Sequence, residues 1–211
     1  MSDPIPPSAL FGFSVRCPPA GDIEIDGVLD DWPANSLLPD LFDLQDMASP
    51  AEVRIAWSPE GLWFALRVED RKSRPKSSDT KGDQIELYID TRDVRTVHRP
   101  GRHCHRFRIM PRGPRRPAKI AQYAIPRPTA SPPDADLGVV TLASVAEKSF
   151  YTVEGHLPAS VLNGYDTEVT RRMGIAYHLT DTEHGDFTWP HDPTLPTVLN
   201  PSFWAVLELV D

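Results

Sequence analysis

The residues best placed for chemistry lie in two short stretches with alternating polarity. In Asp83-Gln84-Ile85-Glu86-Leu87-Tyr88-Ile89-Asp90, apolar Ile85, Leu87 and Ile89 alternate with polar Glu86, Tyr88 and Asp90. In His103-Cys104-His105-Arg106-Phe107-Arg108-Ile109-Met110, Phe107 and Ile109 share one side and Arg106 and Arg108 the other. A period of two is that of a strand with two unlike faces. One carboxylate and two guanidiniums are therefore expected on the polar faces of consecutive strands. Such a set can bind a hydroxyl-rich or other small polar ligand, with Glu86 accepting, the arginines donating and an aromatic ring supplying a stacking plane. The same groups can instead pair across the sheet, which contributes about 0.2–1 kcal/mol per pair. Outward parity in the neighbouring segments adds Trp63, Arg67 and His178, and a long loop near the end carries Trp189. The candidate ligand-binding set is thus Glu86, Arg108, Arg106, Trp63, Arg67, Tyr88, His178 and Trp189.

Other clusters suggest metals. His98, His103 and His105, with Cys104 beside them, are residue types that suit zinc or another transition metal. On a strand, His103 and His105 share a face while Cys104 points away. Asp26, Asp30 and Asp31 offer oxygens to a structural calcium ion, although the spacing is not that of an EF-hand loop. No G-x-S-x-G, H-E-x-x-H or P-loop occurs, so an enzyme is not expected.

The chain has 211 residues, 23 of them proline, a composition that favours many short strands and stiff loops over long helices. Its net charge of −8 is segregated: Arg92 to Lys119 holds ten basic residues against one acid, leaving 12 basic and 29 acidic residues elsewhere. That stretch suits an anion or an intramolecular clamp onto the acidic remainder. Nucleic acid is disfavoured as a partner, because the rest of the surface repels phosphate. The two cysteines, Cys17 and Cys104, make no disulfide framework. The opening Met-Ser-Asp-Pro-Ile-Pro-Pro is no signal peptide and no apolar run reaches membrane-spanning length, so a soluble, cytoplasmic protein is expected.

Along the chain, 1–21 reads as a Pro-rich lead in which Phe11, Phe13 and Val15 alternate like an edge strand, and 22–211 as the main domain. An Asp26-Gly27 turn precedes a buried Trp32. Ala51 to Trp57 and Leu62 to Glu69 form a hairpin through Ser58-Pro59-Glu60-Gly61. Further strands are expected at 118–125, 139–146, 150–157, 173–181 and 203–210, with 182–201 a long loop. Nine or ten short strands and little helix predict an all-β, single-domain antiparallel β-sandwich, jelly-roll-like.

The order of these signals resembles the family-nine carbohydrate-binding module and the wider DOMON-like sandwich group. Ile25-Asp26-Gly27-Val28-Leu29-Asp30-Asp31-Trp32 is similar to that family's opening I-D-G-x-x-D-x-W. Val53 to Trp57 with Leu62 to Asp70 resembles its hairpin, Asp83 to Asp90 its D-S-V-E-I-F-I-D strand, Phe107-Arg108 its F-R pair, and Asn200-Pro201-Ser202-Phe203-Trp204 its closing D-P-S-x-F-G. Thr91 to Phe107 is also similar to stretches in bacterial proteins of this sandwich type. The resemblance implies a non-catalytic domain that clamps a terminal sugar between two tryptophans, with Glu86 and Arg108 at the polar positions. The tryptophan positions fall near Thr80 and Val198 here, so the clamp is missing. The alternatives are a structural or protein-interaction sandwich whose sugar site has decayed, and a metal- or haem-binding one. DOMON relatives that hold haem would point to Met110, Met173, His156 or His178 as ligands.

Overall fold

Alternating hydrophobicity resolves into two facing sheets in the computed structural model, which describes residues 11–42, 47–76, 78, 81–94, 96, 98–111, 117–191 and 194–211. The larger sheet holds β1 (Ser14–Cys17), β11 (Ala205–Leu209), β9 (Arg172–Asp181), β4 (Gln84–Asp90), β5 (Cys104–Met110) and β6 (Lys119–Gln122) in that order, with β10 (Gly185–Trp189) also on β9. The smaller runs β2 (Ala51–Ser58), β3 (Gly61–Val68), β8 (Tyr151–Pro158), β7 (Thr141–Ala146). Every pairing between these strands is antiparallel except β1 with β11. Helical structure among the described residues is confined to single 3-10 turns such as Ala159–Val161.

Between the sheets lies one apolar core. Val53, Ile55 and Trp57 of β2 and Leu62, Phe64, Leu66 and Val68 of β3 meet Ile85, Leu87, Ile89, Phe107 and Ile109 of the larger sheet. Hydrophobic burial of this extent is the main force holding the sandwich. The β2–β3 turn closes with Ser58 opposite Gly61, whose φ of +152° and contact with the Leu157 carbonyl leave no room for a Cβ.

The outer face of the smaller sheet is covered by the chain around 19–32. Ala56 and Ala65 are small enough for Trp32 to lie over them. Buried Glu154 caps the Asp26-Gly27 turn, accepting from the backbone N–H groups of Asp26 and Gly27 and from Trp32 Nε1. Burial raises the Glu154 carboxyl despite these bonds.

One expected loop is a strand. Gly185–Trp189 pairs along the second half of β9, while β11 takes the first half. Phe187 and Trp189 alternate with Asp186 and Thr188, a period of two that the surrounding prolines obscure. Trp189 therefore points into the core, fully buried, its ring 5.6 Å from Tyr177 and nearly parallel to it, its Nε1 donating to the Pro39 carbonyl.

Candidate functional site

The register of three strands assembles one polar cluster on the outer face of the larger sheet. Glu86 stands opposite Arg108 of β5 on one side and His178 of β9 on the other, and Tyr88 stands opposite Arg106. Arg106 donates to Glu86 through Nε at 3.1 Å and through Nη2 to both oxygens at 2.8 and 2.9 Å. Arg108 donates through Nε at 2.9 Å, with Nη2 2.8 Å from the same oxygen. The Tyr88 hydroxyl completes the set at 2.6 Å. Burial pushes the Glu86 carboxyl up, but the bonds from Arg106, Tyr88 and Arg108 outweigh it and hold the group below the usual carboxylate range. The Tyr88 phenol is held protonated by its burial and by the adjoining carboxylate.

A cavity of about 310 Å³ opens over this cluster, lined by Glu86, Tyr88, Arg106, His178, Thr188, Leu195 and Val198. Its volume lies at the small end of ligand pockets, roughly 300–1,000 Å³. Thr188 enters beside His178, the two side chains being 2.9 Å apart. The aliphatic wall comes from the loop before β11. Trp204 anchors that loop, donating to the Thr197 carbonyl at 2.7 Å and packing its ring against Tyr88.

Tyr123 was not among the residues singled out from the sequence. Its backbone N–H donates to the Arg106 carbonyl, which brings it beside β5. Its ring, 38% exposed, lies 4.3 Å from the Arg108 guanidinium and 5.7 Å from that of Arg106. The signal that finds it is the period of two, which puts Tyr123 on the side of Ala121, the residue opposite Arg108.

Trp63 and Arg67 are elsewhere. Both belong to β3, so they lie on the outer face of the smaller sheet, across the core from Glu86. Parity predicts inward or outward but not which sheet a strand joins. Trp63 stacks on His156 at 3.9 Å, and Arg67 pairs with Glu69 and lies over Phe150. A hollow of about 300 Å³ there is lined by Arg54, Arg67, Glu52 and the turn at Leu29 and Asp30, and its two arginines pair with Glu52 and Glu69. The larger hollow of about 370 Å³ near Asp40 and Tyr177 holds none of the residues singled out above.

Two of the three histidines meet and the third lies apart. His103 Nδ1 and His105 Nε2 both face the Asn163 carbonyl at 3.3 Å, while His98 bonds Ser202. His105 faces the core, and burial depresses its imidazole to about 4. Burial raises the Cys104 thiol to about 12. In the turn assigned to calcium, Asp26 accepts from the Val28 N–H and Asp31 from the Glu24 N–H. Among the described residues no three of His, Cys, Asp and Glu converge as a metal site. Of the possible haem ligands, Met173 is in the core, while His178 and His156 are on opposite outer faces.

The basic stretch divides as well. Arg106 and Arg108 clamp onto Glu86, whereas Arg99 donates to the Arg127 carbonyl. Arg95, Arg112, Arg115 and Arg116 lie outside the described residues, as does Thr80.

Comparison with solved structures places this architecture. A family 9 carbohydrate-binding module from Caldicellulosiruptor kristjanssonii in complex with cellotriose superposes with a TM-score of 0.61 at 15% identity, over 93% of each chain. The fold is that of a family 9 carbohydrate-binding module. The same organism's module in complex with glucose gives 0.59 at 15% identity, over 92% of this chain and 95% of that one. A candidate carbohydrate-binding protein from Bacteroides uniformis gives 0.56 at 13% identity, over 95% and 100%. No protein-family model matches the chain, and comparison with curated proteins finds no match.

Proposed function

We propose that this chain is a non-catalytic carbohydrate-binding domain whose ligand sits on the outer face of the larger sheet. The observation that carries the reading is the convergence of Arg106, Arg108 and Tyr88 on Glu86 beneath a cavity of about 310 Å³. The shared fold supports it, since modules with this architecture have been solved with cellotriose and with glucose. In this reading Glu86 sets the arginine forks in place and the guanidiniums donate to sugar oxygens. Leu195 and Val198 wall the cavity, and Tyr123 offers the exposed ring on which a pyranose can stack.

Calorimetric titration with mono- and oligosaccharides tests this. Saturable binding is expected for the wild-type protein, abolished in Arg108→Ala and weakened about three- to tenfold in Tyr123→Ala. A panel of neutral and acidic sugars that gives no binding to the wild type rejects the reading. The second reading, a protein-interaction sandwich, then moves forward; its supporting observation is the aliphatic Val198 at the cavity wall.

A further inference from the structure

The carboxylate lining the cavity is already taken, while the arginine beside it keeps a donor. Glu86 Oε1 accepts from Arg106 Nη2 and Arg108 Nε, and Oε2 from Arg106 Nε and Nη2 and from Tyr88. A carboxylate has about four lone-pair sites, so this one has little left for a ligand. Thr188 Oγ1 is engaged with His178 Nδ1. Arg106 Nη1, by contrast, makes one long contact, 3.4 Å to the Ala124 carbonyl. A neutral sugar hydroxyl brings a proton that must be accepted; a carboxylate brings lone pairs alone. Arg106 Nη1, whose neighbours Nε and Nη2 are held by Glu86, donates to it and leaves no ligand proton unpaired.

We infer that the site takes sugars carrying a carboxylate, the uronic acids, with the acid group set against Arg106. The inference rests on the carbohydrate-binding reading above and narrows it to a class of sugar. The charge distribution agrees. β5 lies in the stretch from Arg92 to Lys119 that holds ten basic residues and one acid, and the protein's acidic excess lies outside it. Arg106 is 19% exposed at its side chain and the Glu86 side chain 5%, so solvent screens this charge less than it does at an open surface. Asp186, near His178, is 64% exposed and lies 3.7 Å from His178 Nε2.

Titration of the full chain with D-glucuronate, D-galacturonate, the methyl ester of each and glucose 6-phosphate tests the inference without any variant. Each acid is expected to bind roughly tenfold or more tightly than its ester, the gap narrowing as salt rises. In Arg106→Gln the acid should lose more affinity than the ester. Equal binding of acid and ester overturns the inference and leaves the carbohydrate reading standing. A sugar phosphate that binds as well as the uronates overturns it too, because charge alone would then select the ligand. Failure of every sugar, neutral or acidic, removes both readings together.

Discussion

Glu86 is a buried charge held by its neighbours. It is 4% exposed and ionised because two guanidiniums and a phenol surround it. Glu86→Ala leaves Arg106 and Arg108 half-buried without their counter-charge. The expected loss is roughly 2–4 kcal/mol, at the low side of breaking a fully buried pair because the arginines still reach water. Equilibrium denaturation of the variant measures it, and a loss below the usual scatter of surface substitutions would mean the cluster is solvated. The sign with pH follows from the shift. The carboxyl titrates below 4.5 in the fold, so its stabilisation is complete above that value and lost as the pH falls through the folded one. His105 acts in a different window. Its folded value of about 4 lies below the ordinary 6.5, so between them the unfolded chain binds more protons. Stability should therefore fall by on the order of 3 kcal/mol as the pH drops from 6.5 to 4. Urea midpoints followed across that range should show this slope in the wild type and lose it in His105→Leu.

At the scale of elements, the segment between β3 and β4 is tied down by a buried ionic network that no motif announced. Arg71, with a fully buried side chain, reaches Asp83 at the start of β4 and Asp181 at the end of β9, and the Tyr151 hydroxyl of β8 donates to Asp181. Asp83 also accepts from the Lys76 and Thr182 N–H groups, so the network fixes the loop entering β4 and hence the strand that bears Glu86. Arg71→Leu buries two carboxylates without their cation and should cost about 3–5 kcal/mol by thermal or urea unfolding. A near-neutral result would show that water reaches the pair. In the sequence, the paired strands were legible because Ile85, Leu87, Phe107 and Ile109 repeat at two residues between turn signals. β10 was not, since its five residues sit among prolines and its alternation is carried by only Phe187 and Trp189. Nothing local in the sequence distinguishes the buried Arg71 from a solvated arginine; its partners lie 12 and 110 residues away.

Across the whole molecule, the sandwich has two outer faces of opposite fate. The chain around 19–32 covers much of the smaller sheet's face, with Trp32 held by Glu154. The larger sheet's face keeps a cavity framed by β4, β5, β9, β10 and the loop before β11. Glu86, Arg106, Arg108, Tyr88 and His178 were legible together because their strands are neighbours. Trp63 and Arg67 fall elsewhere because alternation does not tell one sheet from the other, and Trp189 because the strand that turns it into the core is hidden among prolines. A sugar on the face bearing Glu86 must perturb the amides beneath it, which chemical-shift mapping during a sugar titration reads strand by strand. Saturable shifts are expected, confined to β4, β5, β9, β10, the segment around Tyr123 and residues 194–204, absent in Arg108→Ala and unaffected by Trp63→Ala. Shifts centred on β3 and β8 around Trp63 and His156, or none at any sugar concentration, would contradict binding at that face.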